Sequence, residues 1–419
     1  MNTKLNQEDI YQPIKLAGQE IRAKKDWVRG THRAMDPAET LKRIQPHLHK
    51  AGITRVGDIT GLDTVGIPVV VAVRPASCSL AVEAGKGVTL EAAAASATME
   101  ALERFTGEED NLVDVRGSVR NLRDRLGVDP SAYPLLRHAR LLEHRDYEWS
   151  KSTDLFSGEE YLIPYHLTAL PVDQPSMLGV PFAASSNGLA SGNHAPEALC
   201  AGLYEVIERD ATSCWSIALQ RGEPALEVDL DTIEGEIIGN IIEQVRRADC
   251  EPVIWWNPTE CEIPTCTAYV YQRNGGVGMY KGYGCHLDPE IAMIRAVTEA
   301  VQARTIFVAG ARDDLLRGSF QALRRSDVFG TKAFDIPKRM VSVNDIPDRS
   351  TGFFHGDVQQ LLDGLRRLGI EYAFARELEL GKQFEISVVR VAVPGLEPYR
   401  FPWIRQTERA HSFKPPVFA

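Results

Sequence analysis

Glu100-Ala-Leu-Glu103-Arg104 and Glu205-Val-Ile-Glu208-Arg209 repeat one acidic pattern, Glu-x-x-Glu-Arg, at two distant points of a 419-residue chain. Alone, this pattern is typical of a solvated helix face, because Glu and Arg four residues apart pair readily. Here most of the surrounding residues are Ala, Leu, Val, Ile and Met, which is typical of helices that are buried on nearly all sides. Burying unpaired carboxylates costs several kcal/mol each, so the four glutamates require a cation.

A third helix extends the pattern. Residues at i, i+4 and i+7 fall within a stripe about 60° wide on one helix face. Ser96, Glu100 and Glu103 have this spacing on one predicted helix, and Arg295, Glu299 and Gln302 have it on another. On the helix between them Glu197, Glu205 and Glu208 stand at about 0°, 80° and 20°, so each of the three helices carries a narrow polar stripe. We expect the three stripes to meet one another around bound cations.

The alternative is a structural salt-bridge network in which Arg104, Arg209 and Arg295 neutralise the acids. A single cluster would favour that alternative, whereas three stripes in one chain favour a cation site. The carboxylates outnumber the nearby arginines, and hard oxygen ligands suit Mg²⁺ that is shared with substrate phosphates.

Glycines precede each of the three helices, at Gly85 and Gly87, at Gly188 and Gly192, and at Gly282 and Gly284. Free backbone N–H groups and the positive end of a helix there could face an anion. The chain has no Gly-x4-Gly-Lys-Ser/Thr loop, and no Gly-x-Gly-x-x-Gly follows a strand. A bound ATP would therefore occupy neither a familiar mononucleotide fold nor a dinucleotide fold.

Apolar periodicity and turn residues predict interleaved helices and strands. Asp36-Pro37-Ala38-Glu39 is typical of a helix start, and this helix should end near Lys50, before Gly52. The other predicted helices are 90–105, 196–219, 231–247, 289–309 and 357–368, and the predicted strands are 65–74, 251–256 and 385–393. The fold class is therefore α/β or mixed α+β.

Composition restricts the classes of partner. A formal charge of −10 argues against a surface that coats nucleic acid. The longest apolar run, 65–73, contains Pro68 and is far shorter than the ~20 residues that a membrane span requires. The first 30 residues lack the apolar core of a secretory signal, so we expect a cytoplasmic protein without a membrane partner. The seven scattered cysteines predict reduced, packed thiols.

Three long motifs resemble the ATP-site motifs of the YcaO family. They are Ser96-x3-Glu100-x2-Glu103-Arg104, the stretch Asn187-Gly-x-Ala-x-Gly-Asn193-x3-Glu197-Ala-x6-Glu205-x2-Glu208-Arg209-Asp210, and Arg295-Ala-x2-Glu299-Ala-x-Gln302-x-Arg304. The resemblance runs from about Arg33 to Pro394. It implies a YcaO fold whose ATP site is formed by three buried helices and mixed sheets. The implied organisation is an N-terminal extension over 1–60, an ATP-binding core over 61–330 with a variable insertion at about 117–165, and a C-terminal α/β part of the same unit over 331–419.

The resemblance also implies cofactors and site residues. Members bind ATP through Mg²⁺ ions held by glutamates, which here correspond to Glu100, Glu103, Glu197, Glu205 and Glu208. The implied nucleotide contacts are Arg33, Thr40, Ser96, Asn193, Arg209, Arg295, Gln302 and Arg312. Members use ATP to phosphorylate the oxygen of a backbone amide after a nucleophile has attacked the carbonyl, and loss of phosphate leaves an azoline, thioamide or amidine. No residue is assigned as a catalytic base.

Subfamily features favour one product. Azoline-forming members usually end in Pro-x-Pro-x-Pro and work with a zinc-bearing partner domain, whereas this sequence ends in Lys414-Pro-Pro-Val-Phe-Ala419 and has no Cys-x-x-Cys. Thr31-His-Arg33 and Val391-x-Val-Pro-Gly-Leu-Glu397 resemble YcaO proteins that pair with TfuA proteins in thioamide formation. The leading hypothesis is therefore ATP-dependent thioamidation of a precursor peptide or protein, with sulfide as nucleophile and a TfuA-like partner that supplies it.

Two other functions stay open. One is cyclodehydration of Cys, Ser or Thr to azolines, and the other is a non-enzymatic, ATP-binding regulatory or scaffold subunit. The oligomeric state is open as well, although the family commonly forms homodimers.

Overall fold

Three β-sheets carry the fold, and each one ends in a strand that leads into one of the acidic helices. The computed structural model describes residues 11–110, 113–170, 179–273, 278–310, 336–399 and 401–416. The helices are α1 Pro37–Ile44, α2 Leu90–Glu109, α3 Val119–Leu122, α4 Ala195–Gln220, α5 Glu236–Arg247, α6 Pro289–Ala309, α7 Phe354–Arg367 and α8 Glu408–Ser412. The strands are β1 Ile14–Leu16, β2 Gln19–Ile21, β3 Trp27–Val28, β4 His32–Arg33, β5 Arg55–Asp58, β6 Val69–Val73, β7 Val82–Lys86, β8 Val115–Ser118, β9 Asp146–Asp154, β10 Glu160–Pro164, β11 Leu189–Gly192, β12 Ala225–Val228, β13 Cys250–Trp256, β14 Thr265–Gln272, β15 Met279–Cys285, β16 Lys338–Val341, β17 Phe374–Leu378 and β18 Ser387–Ala392.

The sheets are mostly antiparallel. One has the order β5-β6-β7, the second the order β10-β9-β17-β18-β11 with β8 added beside β9, and the third the order β15-β14-β13-β12-β16. Only the β12–β16 pair is parallel among the described strands. Strands β1 and β2 form a separate hairpin, as do β3 and β4. The mixed α/β class predicted from the sequence is confirmed.

The three acidic helices close into a ring with three sheet-edge strands. Within the described residues β7, β11 and β15 are each the last strand of their sheet. Helix α2 packs on β7 and also contacts β11, α4 packs on β11 and also contacts β15, and α6 packs on β15 and also contacts β7. Each helix therefore bridges its own sheet and the next one, and the helix faces between the strands surround a common centre.

The glycines before the helices serve this packing, while the anion-binding role expected for them stays a prediction. Gly85, Gly192 and Gly284 lie inside strands β7, β11 and β15. A Cβ on Gly85 would lie 2.0 Å from the Ala97 nitrogen, and one on Gly284 would lie 2.1 Å from the Ala292 oxygen. Each strand therefore crosses its following helix at a distance that excludes any side chain.

Side chains cap the helix starts that the glycines were expected to leave open. Thr89 Oγ1 accepts from the Ala92 amide at 3.2 Å, and His194 Nδ1 accepts from the Glu197 amide at 3.2 Å. Asp288 Oδ1 accepts from the Glu290 amide at 2.8 Å. The caps satisfy backbone donors that an anion would otherwise bind.

Most predicted elements exist, with shifted ends. The third acidic helix spans 289–309 as predicted, and α2 continues four residues past Phe105 to Glu109. The strand predicted over 65–74 is shorter, Val69–Val73, since Gly66 has φ 77° and Pro68 lacks a backbone donor. The helix predicted from Asp231 starts only at Glu236, after a 3₁₀ turn. The segment between 117 and 165 contributes strands to the second sheet.

All seven cysteines are free thiols, six of them buried and Cys78 exposed, as predicted for packed residues. Among the described residues, none of the helices combines the length and the apolar character needed to cross a membrane.

Candidate active site

A cavity of about 530 Å³ lies at the centre of the three-helix ring. Its walls contain every site residue predicted from the sequence except Arg312, which lies outside the described residues. The predicted residues that line it are Arg33, Thr40, Ser96, Glu100, Glu103, Asn193, Glu197, Glu205, Glu208, Arg209, Arg295 and Gln302. The structure thus brings the three stripes together, as expected, while the binding role of each residue stays a prediction.

Three carboxylates of α2 and α4, those of Glu103, Glu205 and Glu208, have raised pKa values. Burial raises the pKa of Glu103 well above its usual range, and the nearby carboxylates of Glu100 and Glu205 raise it further. Burial also raises the pKa of Glu205 and brings that of Glu208 to about 7. Ser191 on β11 donates to Glu103 Oε2 at 3.0 Å and offsets only part of the shift. Several carboxylates this close ionise together only when a cation joins them.

The arginines do not form the tight salt-bridge network of the alternative interpretation. Arg209 lies 3.8 Å from Glu205 and 4.0 Å from Glu208, at the outer limit for ion pairs. Arg104 lies 2.9 Å from Glu83 on β7 but 4.0 Å from Glu100. The shorter contact of Arg104 therefore goes to a carboxylate outside the stripes. Arg104 and Arg209 therefore leave part of the negative charge of the carboxylate cluster without a close ion pair.

Glu197 has different surroundings from the other acids. Its side chain is 3% exposed, and its Oε2 accepts from both the backbone and the side-chain nitrogen of Asn193 at 3.0 Å each. Arg33 lies 3.5 Å from Glu197 Oε1. Thr40 donates to Asn193 Oδ1 at 3.0 Å, and Arg43 donates to the same oxygen. Arg33, Thr40, Asn193 and Glu197 therefore form one hydrogen-bonded network on this wall.

Cationic groups lie on the side of the cavity formed by α6, β4 and β7. Burial and the neighbouring Arg295 lower the pKa of Arg33, although Glu197 opposes the shift. Arg295 Nε is buried and has no hydrogen-bond partner among the described residues. Lys86 donates to Glu299 Oε2 at 2.8 Å and, against the effect of burial, lowers the pKa of Glu299. Guanidinium and ammonium groups of this kind suit phosphate oxygens.

Sequence reasoning missed residues that the strands contribute. Lys86 lies between the two glycines that the sequence analysis singled out, and Ser191 lies beside Gly192. A polar side chain between two glycines at a strand end was the available signal for Lys86. The side chain of Gln302, which was predicted, donates to the Ala84 carbonyl and ties α6 to β7.

The donor set fits a hard divalent cation. Glu100, Glu103, Glu205 and Glu208 offer carboxylate oxygens in one cavity, whose lining also includes cationic side chains. Mg²⁺ prefers a few carboxylates together with waters and substrate phosphates to a closed protein cage. The lining thus suits a metal–polyphosphate group, with carboxylates for the metal and cationic side chains for the phosphates.

A family model described as YcaO cyclodehydratase, ATP- and Mg²⁺-binding, matches residues 84–397 and so spans all three acidic helices. An uncharacterized protein of Methanothermobacter thermautotrophicus is 35% identical over 379 residues, which cover 87% of this chain and 95% of that protein. An uncharacterized protein in the tfuA 3′ region of Rhizobium leguminosarum bv. trifolii is 32% identical over 385 residues, covering 87% of this chain and 88% of that protein.

Two solved structures share the fold. The YcaO protein of Methanopyrus kandleri bound with AMPPCP and Mg²⁺ superposes with a TM-score of 0.72 and 23% identity, covering 94% of this chain and all of that one. A heterocyclase in complex with substrate and cofactor superposes with a TM-score of 0.75 and 21% identity. That match covers 94% of this chain and 56% of the heterocyclase, so this chain spans little more than half of its length.

Proposed function

The chain belongs to the YcaO family, and from that premise we propose that it catalyses the ATP-dependent thioamidation of a peptide backbone. The family description names ATP and Mg²⁺, which are the cofactors of this chain. The observation that carries the ATP-dependent part of the proposal is the convergence of the Glu103, Glu205 and Glu208 carboxylates in one cavity that also contains Arg33, Lys86 and Arg295.

In this proposal Glu100, Glu103, Glu197, Glu205 and Glu208 hold Mg²⁺, which when bound offsets negative charge on the transferring phosphoryl group. The network of Arg33, Thr40 and Asn193 fixes the direction of the Glu197 carboxylate. The remaining nucleotide contacts would be made by the predicted side chains of α2, α4 and α6, which are Ser96, Arg209, Arg295 and Gln302.

The chemistry explains why ATP is needed. Hydrosulfide adds to the carbonyl carbon of the amide, and the resulting oxyanion attacks the γ-phosphorus of ATP, releasing ADP. Loss of the proton on sulfur then forms the C=S bond as phosphate leaves. An amide oxygen is a poor leaving group, whereas phosphate is a good one, so the phosphoryl transfer makes the exchange of oxygen for sulfur feasible.

Sulfide as the nucleophile is supported by motifs and by a relative. Thr31-His-Arg33 and the stretch from Val391 to Glu397 resemble members that pair with TfuA proteins, and the Rhizobium relative is named for its place in the tfuA 3′ region. We propose that a TfuA-like protein supplies the sulfide and that a precursor peptide or protein is the substrate.

A second function is cyclodehydration of Cys, Ser or Thr to azolines. The description of the matching family as cyclodehydratase favours it. The two reactions use the same ATP site and differ in the group that attacks the amide carbonyl.

One experiment separates the candidates. The protein is incubated with ATP, Mg²⁺, sulfide and the short peptides encoded beside its gene, with and without a TfuA-like protein, and phosphate release and peptide mass are followed. Exchange of one oxygen for one sulfur supports thioamidation, and loss of one water supports cyclodehydration. Absence of turnover with every partner combination supports the scaffold function.

Paired variants test the metal site within that experiment. Glu103→Gln and Glu208→Gln should abolish phosphate release while the circular dichroism spectrum stays that of the parent protein. Glu91→Gln, on an exposed part of α2 outside the cavity, is the matched control and should keep full activity. Full activity in both cavity variants would contradict the proposed metal ligands.

A further inference from the structure

The cavity at the centre of the three-helix ring is called the nucleotide cavity below. A second cavity, of about 500 Å³, lies beside it and shares Lys281 with it. We propose that this second cavity binds the peptide segment whose backbone amide is activated, a proposal that rests on the function proposed above. Its lining combines α4, β15 and the chain after β18, and it consists of Arg137, Thr212, Ser213, Ser216, Gln220, Lys281, Tyr283, Glu397, Tyr399, Phe401, Pro402, Ile404 and Gln406. Small-molecule and peptide pockets commonly enclose about 300–1,000 Å³.

Helix α4 connects the two cavities. Its polar stripe does not stop at Glu208, because Thr212, Ser216 and Gln220 continue it at a spacing of four residues and line the second cavity. Thus the same helix presents carboxylates to the nucleotide cavity in its first half and uncharged polar groups to the second cavity in its last half. A substrate that extends along α4 would reach from one cavity into the other.

Two cations lie where the cavities meet. The Arg209 guanidinium, which lines the nucleotide cavity, lies 5.2 Å from the ring of Tyr399 and 5.9 Å from that of Tyr283. The Lys281 ammonium lies 4.8 Å from the ring of Tyr283. An amide carbonyl placed at this junction would develop its negative charge beside Arg209 and Lys281, at the edge of the nucleotide cavity.

The chemistry of the lining suits a peptide rather than a second nucleotide. The exposed Gln220 amide on α4 can donate to and accept from a peptide backbone. The Thr212 and Ser213 hydroxyls already donate to the carbonyls of Glu208 and Pro398, so their oxygens can only accept. Tyr283, Tyr399 and Phe401 contribute aromatic rings to the lining. The carboxylate of Glu397 is already occupied, since its Oε2 accepts from the Thr407 amide at 2.8 Å and from the Thr407 hydroxyl at 2.6 Å. Phe401 stacks on Trp403, whose side chain is 58% exposed, with ring centroids 4.6 Å apart. Aromatic side chains are enriched among the residues that contribute most binding energy at interfaces, and Phe401 lines the cavity.

Peptide binding can be tested without turnover. A phage-displayed library of randomised linear peptides is selected on the protein loaded with AMPPCP and Mg²⁺, and the most enriched peptide is synthesised with a fluorescent label. Its affinity is then measured by anisotropy for the parent protein and for Tyr399→Ala, Gln220→Arg and Met340→Ala. Met340 is an exposed apolar residue on β16, away from both cavities, and serves as the control.

We expect Tyr399→Ala and Gln220→Arg each to weaken peptide binding about tenfold or more, and Met340→Ala to leave it unchanged. The affinity for AMPPCP with Mg²⁺ should stay the same in all three. The proposal is overturned if no peptide is enriched, if the enriched peptide binds the cavity variants as tightly as the parent, or if the variants weaken nucleotide binding equally. Failure of the thioamidation assay would leave this binding result standing, so the two proposals fail separately.

Discussion

Glu208 is the residue at which burial and charge conflict most clearly. Burial raises its pKa to about 7, and Glu299 and Glu205 add to the shift against Arg209 and Arg295. A raised pKa in the folded state adds stability below the ordinary value of about 4.5. That contribution is lost as the pH rises through about 7. The metal-free fold thus favours a protonated Glu208, whereas Mg²⁺ needs the carboxylate.

Mg²⁺ binding should therefore depend on pH through Glu208. Below pH 7 we expect the affinity for Mg²⁺ in the presence of AMPPCP to fall about tenfold or more per pH unit, because Glu208 must lose its proton when the metal binds and the raised pKa values of Glu103 and Glu205 add to the effect. Isothermal titration from about pH 6 to about pH 8, in buffers with different ionisation enthalpies, measures both the affinity and the released proton. Glu208→Gln should lower the number of released protons by about one and make the pH dependence less steep. A parent affinity that stays constant over this range would contradict the prediction.

At the residue scale the sequence predicted the acids better than their surroundings. Glu100, Glu103, Glu205 and Glu208 were found because carboxylates in apolar helices need an explanation. The roles of Ser191 and Lys86 depend on which strand lies opposite which helix, since each pairs with a residue of a helix distant in sequence. That relation is tertiary, and no local pattern contains it.

The strand–helix units depend on glycine at their crossing points. A Cβ on Gly85 would lie 2.0 Å from a backbone nitrogen of α2, so neither a rotamer change nor a side-chain shift can relieve the clash. Gly85→Ala should push β7 away from α2 and cost about 1–3 kcal/mol or more of unfolding free energy. Urea unfolding measures the loss.

Strand β5 offers the matched control for Gly85. A Cβ on Gly57 would find its nearest atom 3.5 Å away, at the Arg55 side chain, so Gly57→Ala should change stability by much less. Equal losses in the two variants would show that backbone freedom, and not the close approach to α2, is what Gly85 contributes.

The N-terminal strands are fixed to α7 by a buried cation. Lys25 Nζ lies 2.6 Å from Asp357 Oδ2 and 2.9 Å from His32 Nδ1, and the Lys25 and Asp357 side chains are both 1% exposed. The potential ligand atoms of His32, His286 and Asp357 lie within 4.8 Å of one another, a metal-like arrangement in which the lysine ammonium supplies the positive charge. Burial and the nearby Lys25 lower the pKa of His32 to about 4, which keeps the imidazole neutral. Since His32 precedes Arg33 on β4, this cluster also positions a predicted nucleotide contact.

The variant Lys25→Met tests how much that cation contributes to the free energy of unfolding. Leaving Asp357 buried and unpaired should cost about 3–5 kcal/mol of unfolding free energy, whereas the double variant Lys25→Met with Asp357→Leu should recover much of it. The surface pair of Lys338 and Glu227 gives the control, for which Lys338→Met should cost about 0–1 kcal/mol. Thermal and urea unfolding check these values, and a single variant as stable as the double one would contradict the role of the pair.

At the element scale, periodicity located the helices because each has a long, regular pattern. The ends of α6 were predicted correctly, and the structure shows Asp288 capping its start and Gly310 following its end in the left-handed conformation. The segment from 117 to 165 gave no clean period, and its strand β9 pairs with β8, β10 and β17. The partners β8 and β10 lie in the same part of the chain as β9, whereas β17 comes from a distant part, so that pairing has no local pattern.

At the scale of the whole molecule, the site exists only when three sheets meet. The acids of α2 and α4 and the cations of α6 and β7 belong to units that are each built on a different sheet. The sequence predicted three stripes but not the ring, because the order in which α2, α4 and α6 alternate with β7, β11 and β15 follows from sheet packing. A ligand at the centre of the ring should therefore stabilise all three units together.

Binding of AMPPCP with Mg²⁺ tests that coupling. At a ligand concentration of about 100 times Kd, the unfolding free energy should rise by about 2.7 kcal/mol. Hydrogen exchange followed by mass spectrometry should show slower exchange in α2, α4 and α6 and in their strands at the same time, because the ligand contacts every unit. In Glu208→Gln the Mg²⁺-dependent part of this protection should disappear from all three units and not from α4 alone. Protection that stays confined to one strand–helix unit would show that the ring does not act as one site, and the three acidic stripes would then need separate explanations.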